Sequence, residues 1–551
     1  MGLPLHILSV AVLLGGLIFF HELGHFLVAK ALGVKVEKFS IGFGPRLLGF
    51  KWGETEYRLS ILPLGGYIKM AGDDPSTPLD GRDQGRGFLE QRPWKRMAIA
   101  FAGPAFNLIF PVLAYFTVFA LQSEAVAPQV GQVIPGMPAA AAGLQPGDRI
   151  VSIDGDRIHA FQDLRRYVDP NAGRPLQVVV DRAGTETTFT VTPEPFLEQD
   201  PIETVEVGKI GIIPNAASPL VGVEAGSLAY DAGLRSFDRI ESVGGEPVAS
   251  IEQALAAIES KARLGAPFEI RASRVDPAAA AAAAAEPGAA QPAPTPIRAL
   301  LTPSDGAPVG VESAELFVAR INPGTPAAEA GLQRGDKVVA IDGKALSSWQ
   351  EVEKVQRERQ DKPFSLSFVR DGETHTVTLA QAARTENDEL RDRPITLYTF
   401  GAYGGLPAEP APVVSVPFRP LLAAKMAFTS TWEVARKITV GIAMIVTGEI
   451  AFKNVGGPLQ IYDIATKAVD QGWEIFLHTM AMVSINLGLV NLFPVPVLDG
   501  GHIVQAGFEA IRRKPLSMRA REITNAVGFA MLLTLMVFAI KNDVVRFFLA
   551  G

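Results

Sequence analysis

The hydrophobic residues of this chain fall into four long runs, separated by stretches in which apolar and polar positions alternate. The first run, Ile7 to Phe20, passes directly into Phe19-Phe-His-Glu-Leu-Gly-His-Phe-Leu-Val-Ala29. A helix from Ile7 to Ala29 would be roughly 34 Å long, enough to cross a bilayer. Met97 to Leu121 predicts a second span, Trp473 to Val497 a third and Asn525 to Ile540 a fourth. Arg419 to Ile450 is mixed. Its apolar patch, Ile438 to Val446, is short for a span and predicts a surface or interfacial helix. Phe39 to Gly44 and Tyr57 to Met70 are apolar, partly alternating and punctuated by Gly, which predicts strands. They read either as a surface hairpin or as a sheet edge beside the first span, able to pair with an extended peptide.

Between the second and third runs the pattern repeats. Ala142-Gly-Leu-Gln-Pro-Gly-Asp-Arg-Ile-Val-Ser-Ile153, Ala232-Gly-Leu-Arg-Ser-Phe-Asp-Arg-Ile-Glu-Ser-Val243 and Ala330-Gly-Leu-Gln-Arg-Gly-Asp-Lys-Val-Val-Ala-Ile341 each set a Gly-Leu turn and an Asp before an alternating strand. An amphipathic helix follows near Phe161, Ile251 and Trp349. A closing strand follows from Pro175 to Arg182, Pro267 to Arg274 and Pro363 to Arg370. These units resemble PDZ domains of the bacterial protease type, which implies peptide capture by strand addition. Ile210-Gly211-Ile212 and Val309-Gly310-Val311 are the expected capture strands of units two and three; the first unit has no clear equivalent. The second unit lacks the Gly that the others place before the Asp. Asp276 to Pro296, rich in Ala and Pro, falls where the other copies make a short turn, and reads as a disordered loop inside unit two.

The expected organisation is therefore spans one and two with a β region (1–122), PDZ-like units at 125–195, 205–303 (disordered insertion 276–296) and 307–382, an interfacial helical region (415–452), and spans three and four (473–551). Lys30 to Arg96 holds twelve Lys or Arg, and Arg512-Arg-Lys514 with Arg519 and Arg521 follows span three. By the positive-inside rule both segments are cytoplasmic, so the repeats lie outside. The first run lacks a basic start and a small-residue cleavage site, so it reads as a retained helix and not a removable leader. Net charge is −7, which gives no support for nucleic-acid binding. The chain has no Cys, which excludes disulfides, thiolate zinc ligands and Cys nucleophiles.

His21 and His25, four apart, lie on one face of a helix and can grip one Zn²⁺, with Glu22 as base for a bound water. A carboxylate at mid-membrane costs about 2.5–3.5 kcal/mol, and a cation at the site offsets that cost. A catalytic zinc needs a third protein ligand and an open position. Of the seven His, His159 and His375 lie in the repeats and His6 and His478 toward the outer ends of their spans. Asp499 and His502 remain, in Asn491-Leu-Phe-Pro-Val-Pro-Val-Leu-Asp-Gly-Gly-His502. Pro494 and Pro496 break the helix before them. Spacing alone leaves both open.

His-Glu-Leu-Gly-His, the Gly103 to Asn107 segment and Asn-Leu-Phe-Pro-Val-Pro-Val-Leu-Asp-Gly-Gly together resemble the site-2 protease family of intramembrane zinc metalloproteases, in the bacterial form that inserts PDZ domains between its second and third spans. The resemblance implies His21, His25 and Asp499 as ligands, Glu22 as base and Asn491 near the scissile carbonyl. It implies a multi-domain membrane protein: a helical core of four spans, a membrane-associated β-hairpin region and extracytoplasmic α+β PDZ-like domains. It also implies a bacterial inner membrane, with the active site near the cytoplasmic side. The implied substrates are single-span anti-sigma-factor-like proteins, after a first cleavage, and remnant signal peptides. A third PDZ-like unit departs from the familiar two. A membrane-tethered peptide-binding scaffold with an inactive zinc site and a zinc transporter are the other classes; intact Glu22 counts against the first, and the peptide-binding repeats against the second.

Overall fold

The computed structural model describes residues 3–73, 79, 81–200, 202–279, 292–303, 308–388 and 390–549. Contacts divide the chain into two units: Met1–Ser123, Glu389–Asp392 and Pro417–Gly551 in one, Glu124–Asp388 and Arg393–Val416 in the other.

The first unit is helical: α1 (Leu3–Ala31), α2 (Pro93–Leu121), α3 (Pro420–Thr447), α4 (Pro458–Asp470), α5 (Trp473–Asn491), α6 (Asp499–Arg512) and α7 (Met518–Val544). Pro93, Pro420 and Pro458 each open a helix, where a missing N–H costs nothing. Among the described residues four helices are long and apolar enough to cross a membrane: Pro4–Ala31, Pro93–Leu121, Trp473–Asn491 and Met518–Leu549. The third ends at Asn491, short of the expected Val497, because Pro494 and Pro496 cannot continue it. α3 is one continuous 28-residue helix inside the expected helical region, with Ala423, Ala427 and Thr431 buried. Leu13 and Leu17 of α1, Phe110 and Tyr115 of α2, Ala427, Ala465 and Met480 with Ile485 of α5 form the core.

Between α1 and α2 lie β1 (Val36–Trp52) and β2 (Thr55–Met70), an antiparallel pair that folds back on itself. Phe39 faces both Tyr57 and Ile68, and Ser40 faces both Arg58 and Tyr67. The Gly66–Lys69 stretch therefore forms an outer strand against Lys38–Ile41. Ala29, Val34, Val36 and Ile99 pack beneath it with Phe26 and Ile68.

The second unit contains the three repeats. In the first, strands Asp156–Arg157, Arg149–Ile153, Leu176–Arg182 and Thr185–Val191 lie side by side in that order. The third repeats the order with Lys344–Ala345, Lys337–Ile341, Phe364–Arg370 and Glu373–Leu379. The second places Phe268–Arg274 against Thr295–Leu301, with Arg274 opposite Thr295, so the Ala/Pro-rich stretch joins two paired strands. Of the expected disordered insertion 276–296, residues 280–291 lie outside the described residues, while Thr295 and Pro296 already belong to the paired strand.

An ion pair ties the turn of each repeat to its closing strand. Asp148 accepts both Arg182 nitrogens at 2.7 Å, Asp238 accepts Arg274 at 2.7 and 2.8 Å, and Asp336 accepts Arg370 in the same way. Each Arg also donates to the carbonyl of the turn Gly, at Gly143, Gly233 and Gly331. The buried Asp beside it pushes each of these guanidinium pKa values up.

The capture strands differ from expectation. Ile212–Ile213 pairs with Gln132–Val133, so it completes the first repeat and does not open the second. Val311–Ser313 pairs with Leu220–Val223 of the second repeat. The third repeat uses Ala402–Tyr403, paired with Arg320–Ile321. The Gly of each strand packs on the residue before the short helix of its own repeat: Gly211 on Met137, Gly310 on Ser227, Gly401 on Thr325. Each repeat thus closes with its last strand, and a Gly flanked by apolar residues does not reveal which neighbour it will join. The first repeat has its capture strand after all.

Arg274→Met should leave Asp238, which is fully buried, without its hydrogen-bonded guanidinium. A fully buried broken pair costs about 3–5 kcal/mol, and a guanidinium one-third exposed lowers that to about 2–3 kcal/mol. Amide exchange on the full chain should show protection lost mainly between Leu220 and Ser313; unchanged protection there would refute the assignment.

Candidate metal centre

α1 carries His21 and His25 one turn apart, against α2 on one side and β2 on the other. A Cβ at Gly24 would collide with the Ala102 carbonyl, and one at Gly66 would lie 3.2 Å from Glu22 Cγ. Small residues at these crossings let backbone approach backbone, which in lipid is a main source of helix association. α6 begins at Asp499 just beyond the Pro494–Pro496 turn. Side chains at Gly500 or Gly501 would collide with the carbonyls of Phe493 or Val495. Glycine therefore permits the reversal that aims Asp499 back at α1.

His21 Nε2 lies 3.1 Å from Asp499 Oδ2, and His25 Nε2 lies 3.4 Å from Oδ1. The two Nε2 atoms are 3.2 Å apart. Among the described residues His21, His25 and Asp499 form a group whose ligand atoms all lie within 4.8 Å of one another. Tetrahedral zinc with ligands 2.0–2.2 Å away puts neighbouring ligand atoms roughly 3.3–3.5 Å apart, so the donor set fits the ion in spacing and chemistry. A cavity of about 410 Å³ opens beside it, lined by Glu22, Tyr67, Ile68, Asn491 and Asp499 among others. Ile68 lines this cavity together with Glu22. Asn491, the last residue of α5, is on the same wall. His502 also lines the cavity but stands outside the ligand group, so of the two residues that spacing left open the structure brings Asp499 to the imidazoles.

Three contacts were not foreseen in the sequence. His25 Nδ1 lies 2.7 Å from the Ile99 carbonyl. A Cβ at Gly103 would collide with His25 Nε2 and lie 2.8 Å from His21 Cε1. Glu509 of α6, almost fully buried, accepts Arg96 of α2, Arg521 of α7 and the Leu516 N–H. The sequence signals were the small-residue segment from Gly103, which suggests close helix packing, and Asn107, which is able to hydrogen-bond across the bundle.

A helical membrane bundle with two His and one Asp at ion-sharing distance, and a Glu in an adjoining cavity, is the architecture of a membrane-embedded metalloenzyme. The Peptidase family M50 profile matches residues 9–535, and the chain belongs to that family of site-2 type zinc metalloproteases. It is an intramembrane zinc metalloprotease. A protein of Neisseria meningitidis described as a zinc metalloprotease is 31% identical over 540 residues, covering 96% of each chain. The regulator of sigma-E protease RseP of Escherichia coli is 28% identical over 552 residues, covering 98% of each. The Salmonella typhimurium protein of that name is 26% identical over 546 residues, covering 97% of each. A solved PDZ domain protein from Parabacteroides distasonis covers 51% of this chain at 10% identity and a TM-score of 0.13, too loose a likeness to carry an argument.

Gly103→Ala should push a ring out of place and lower bound zinc at least about tenfold. Gly15→Ala, with open space around it, should not. Metal analysis of the two purified proteins compares them directly; equal zinc would contradict the packing argument.

Proposed function

We propose that His21, His25 and Asp499 hold the zinc, that Glu22 is the general base and that Asn491 steadies the developing oxyanion. The observation that carries this reading is the 3.1–3.4 Å triangle of His and Asp atoms beside the cavity that Glu22 enters. Bound zinc supplies a positive charge that lowers the pKa of water and polarises a carbonyl. Glu22 takes the proton from the attacking water and returns it to the leaving amine. Asn491 offers an amide donor, and a single such donor is typically worth about 2.7–4 kcal/mol. A helical substrate hides its scissile carbonyl within its own hydrogen bonds and must unwind. The outer Gly66–Lys69 strand offers backbone groups to hold the extended form next to Glu22.

The substrates on this reading are single-span membrane proteins of anti-sigma-factor type, already clipped on their outer side, and remnant signal peptides. Full-length similarity to proteins named regulator of sigma-E protease supports this. The basic segments following α1 and preceding α7 support a cytoplasmic placement for them, which puts the repeats in the periplasm and the metal nearer the cytoplasmic face. There the PDZ-like units at 125–195, 205–303 and 307–382, with the strand exchanges described above, bind peptide ends and exclude bulky outer domains.

Glu22→Gln should retain zinc and lose about 10²–10⁴ in rate, whereas Asp499→Ala should lose both metal and cleavage. Zinc content and hydrolysis of a labelled transmembrane peptide, with and without chelator, check this; full activity in Glu22→Gln would discard the proposed base. Deleting residues 124–416 should broaden substrate range while a short membrane peptide is still cut. Loss of that peptide's cleavage would overturn the filter.

A further inference from the structure

α2 faces α1 with matched spacing. Ile99, Gly103 and Asn107 are four residues apart and share one face of the helix. Ile99 offers its carbonyl to His25 Nδ1 at 2.7 Å, and Gly103 lies beneath both rings. One turn further, the Asn107 amide lies against His21, with Nδ2 3.1 Å from Nδ1. Asn107 is fully buried, and its Oδ1 has no other partner. Its backbone carbonyl accepts Ser484 Oγ of α5 at 2.8 Å, which ties this point of α2 to a second helix.

An imidazole that gives Nε2 to a metal carries its proton on Nδ1, and that proton needs an acceptor. His25 has the Ile99 carbonyl. For His21 the group at hand is the Asn107 amide, whose oxygen and nitrogen exchange places by a half-turn of the side chain. We propose that Asn107 is a positioning residue: its side-chain oxygen accepts His21 Nδ1–H and so holds His21 with Nε2 turned toward His25 and Asp499. The inference rests on His21 being a zinc ligand. α2, which supplies no ligand, thus orients both imidazoles, one through a backbone oxygen and the other through a side-chain oxygen. A purely structural Asn107 would act through its volume, where it touches Gly488 of α5. An acceptor role and a volume role separate by substitution.

The test compares Asn107→Leu, Asn107→Ala and Asn107→Asp in the full chain in detergent, reading zinc affinity by chelator competition and site geometry from the absorption of the cobalt-substituted protein. Leu keeps volume without an acceptor, Ala removes both with little risk of overpacking, and Asp keeps the acceptor. Leu and Ala should weaken zinc about 10–100-fold and change the cobalt spectrum. Asp should stay within about threefold of the parent, with the parent's spectrum. Parent-like affinity in Leu and Ala, or a loss in Asp equal to that in Leu, overturns the acceptor role. Failure of the parent itself to bind zinc or cobalt instead overturns the metal-site reading, and the positioning role with it.

Discussion

The structure depends on how closely α1 and α2 cross. At Gly24 the two backbones meet with no room for a side chain, and at Gly103 the floor beneath both imidazoles is bare backbone. Hydrophobic burial does not drive helices together in lipid as it does in water; close packing and polar contacts do that work. The same contact that joins the helices therefore aims the rings. A metal site on α1 alone would have two imidazoles free to rotate, since a four-residue spacing fixes their side of the helix but not their tautomers or ring planes.

Much of this was legible in the sequence because it is local. The His-Glu-Leu-Gly-His spacing, the four apolar runs and the Pro-Val-Pro break each act within a turn or two of chain. Asn107 shows where legibility stopped. That it could hydrogen-bond across the bundle follows from its type and place in a span. That it meets His21 depends on the register of two antiparallel helices, which no local pattern encodes. Likewise the choice between Asp499 and His502 was open because both follow the same helix break; the Gly500–Gly501 reversal settles which one faces α1.

The repeats give the opposite lesson. Their number and boundaries of similarity were visible, but the strands that close the first two were credited to the unit that follows, and the one that closes the third, Ala402–Tyr403, was not foreseen. Sequence similarity begins anew after each capture strand, and pairing across a turn carries no marker of direction. The ion pair between the turn Asp and the closing Arg does carry one, because its partners are fixed about 34–36 residues apart in every copy. Phe237 shows what that frame tolerates. It takes a φ of 73° where the other repeats have Gly147 and Gly335, a conformation that costs a bulky residue of order 1–3 kcal/mol. Arg334, 4.2 Å from its ring centroid, and Phe317 pack against it from the third repeat. Its aromatic contacts offset part of the strain that a glycine would have avoided.

Within the membrane unit, α2 is the common reference for every proposed ligand. It meets α1 through Ile99, Gly103 and Asn107, and it meets α6 through Arg96, whose guanidinium reaches Glu509 ten residues beyond Asp499. Arg521 of α7 shares the same carboxylate. Burying three charges is rarely a net gain in stability, but removing any one would strand the others, so the cluster tolerates few alternative registers. α6 is then held at both ends, by the glycine reversal at Asp499 and by Glu509 near its C-terminus. A sliding motion of α6 along α2 would have to break that cluster before Asp499 could leave the imidazoles. The precision of the triangle is thus set by a helix that contributes no donor atom to it, and the residues that bear on the proposed metal site extend well beyond the three proposed to hold the ion.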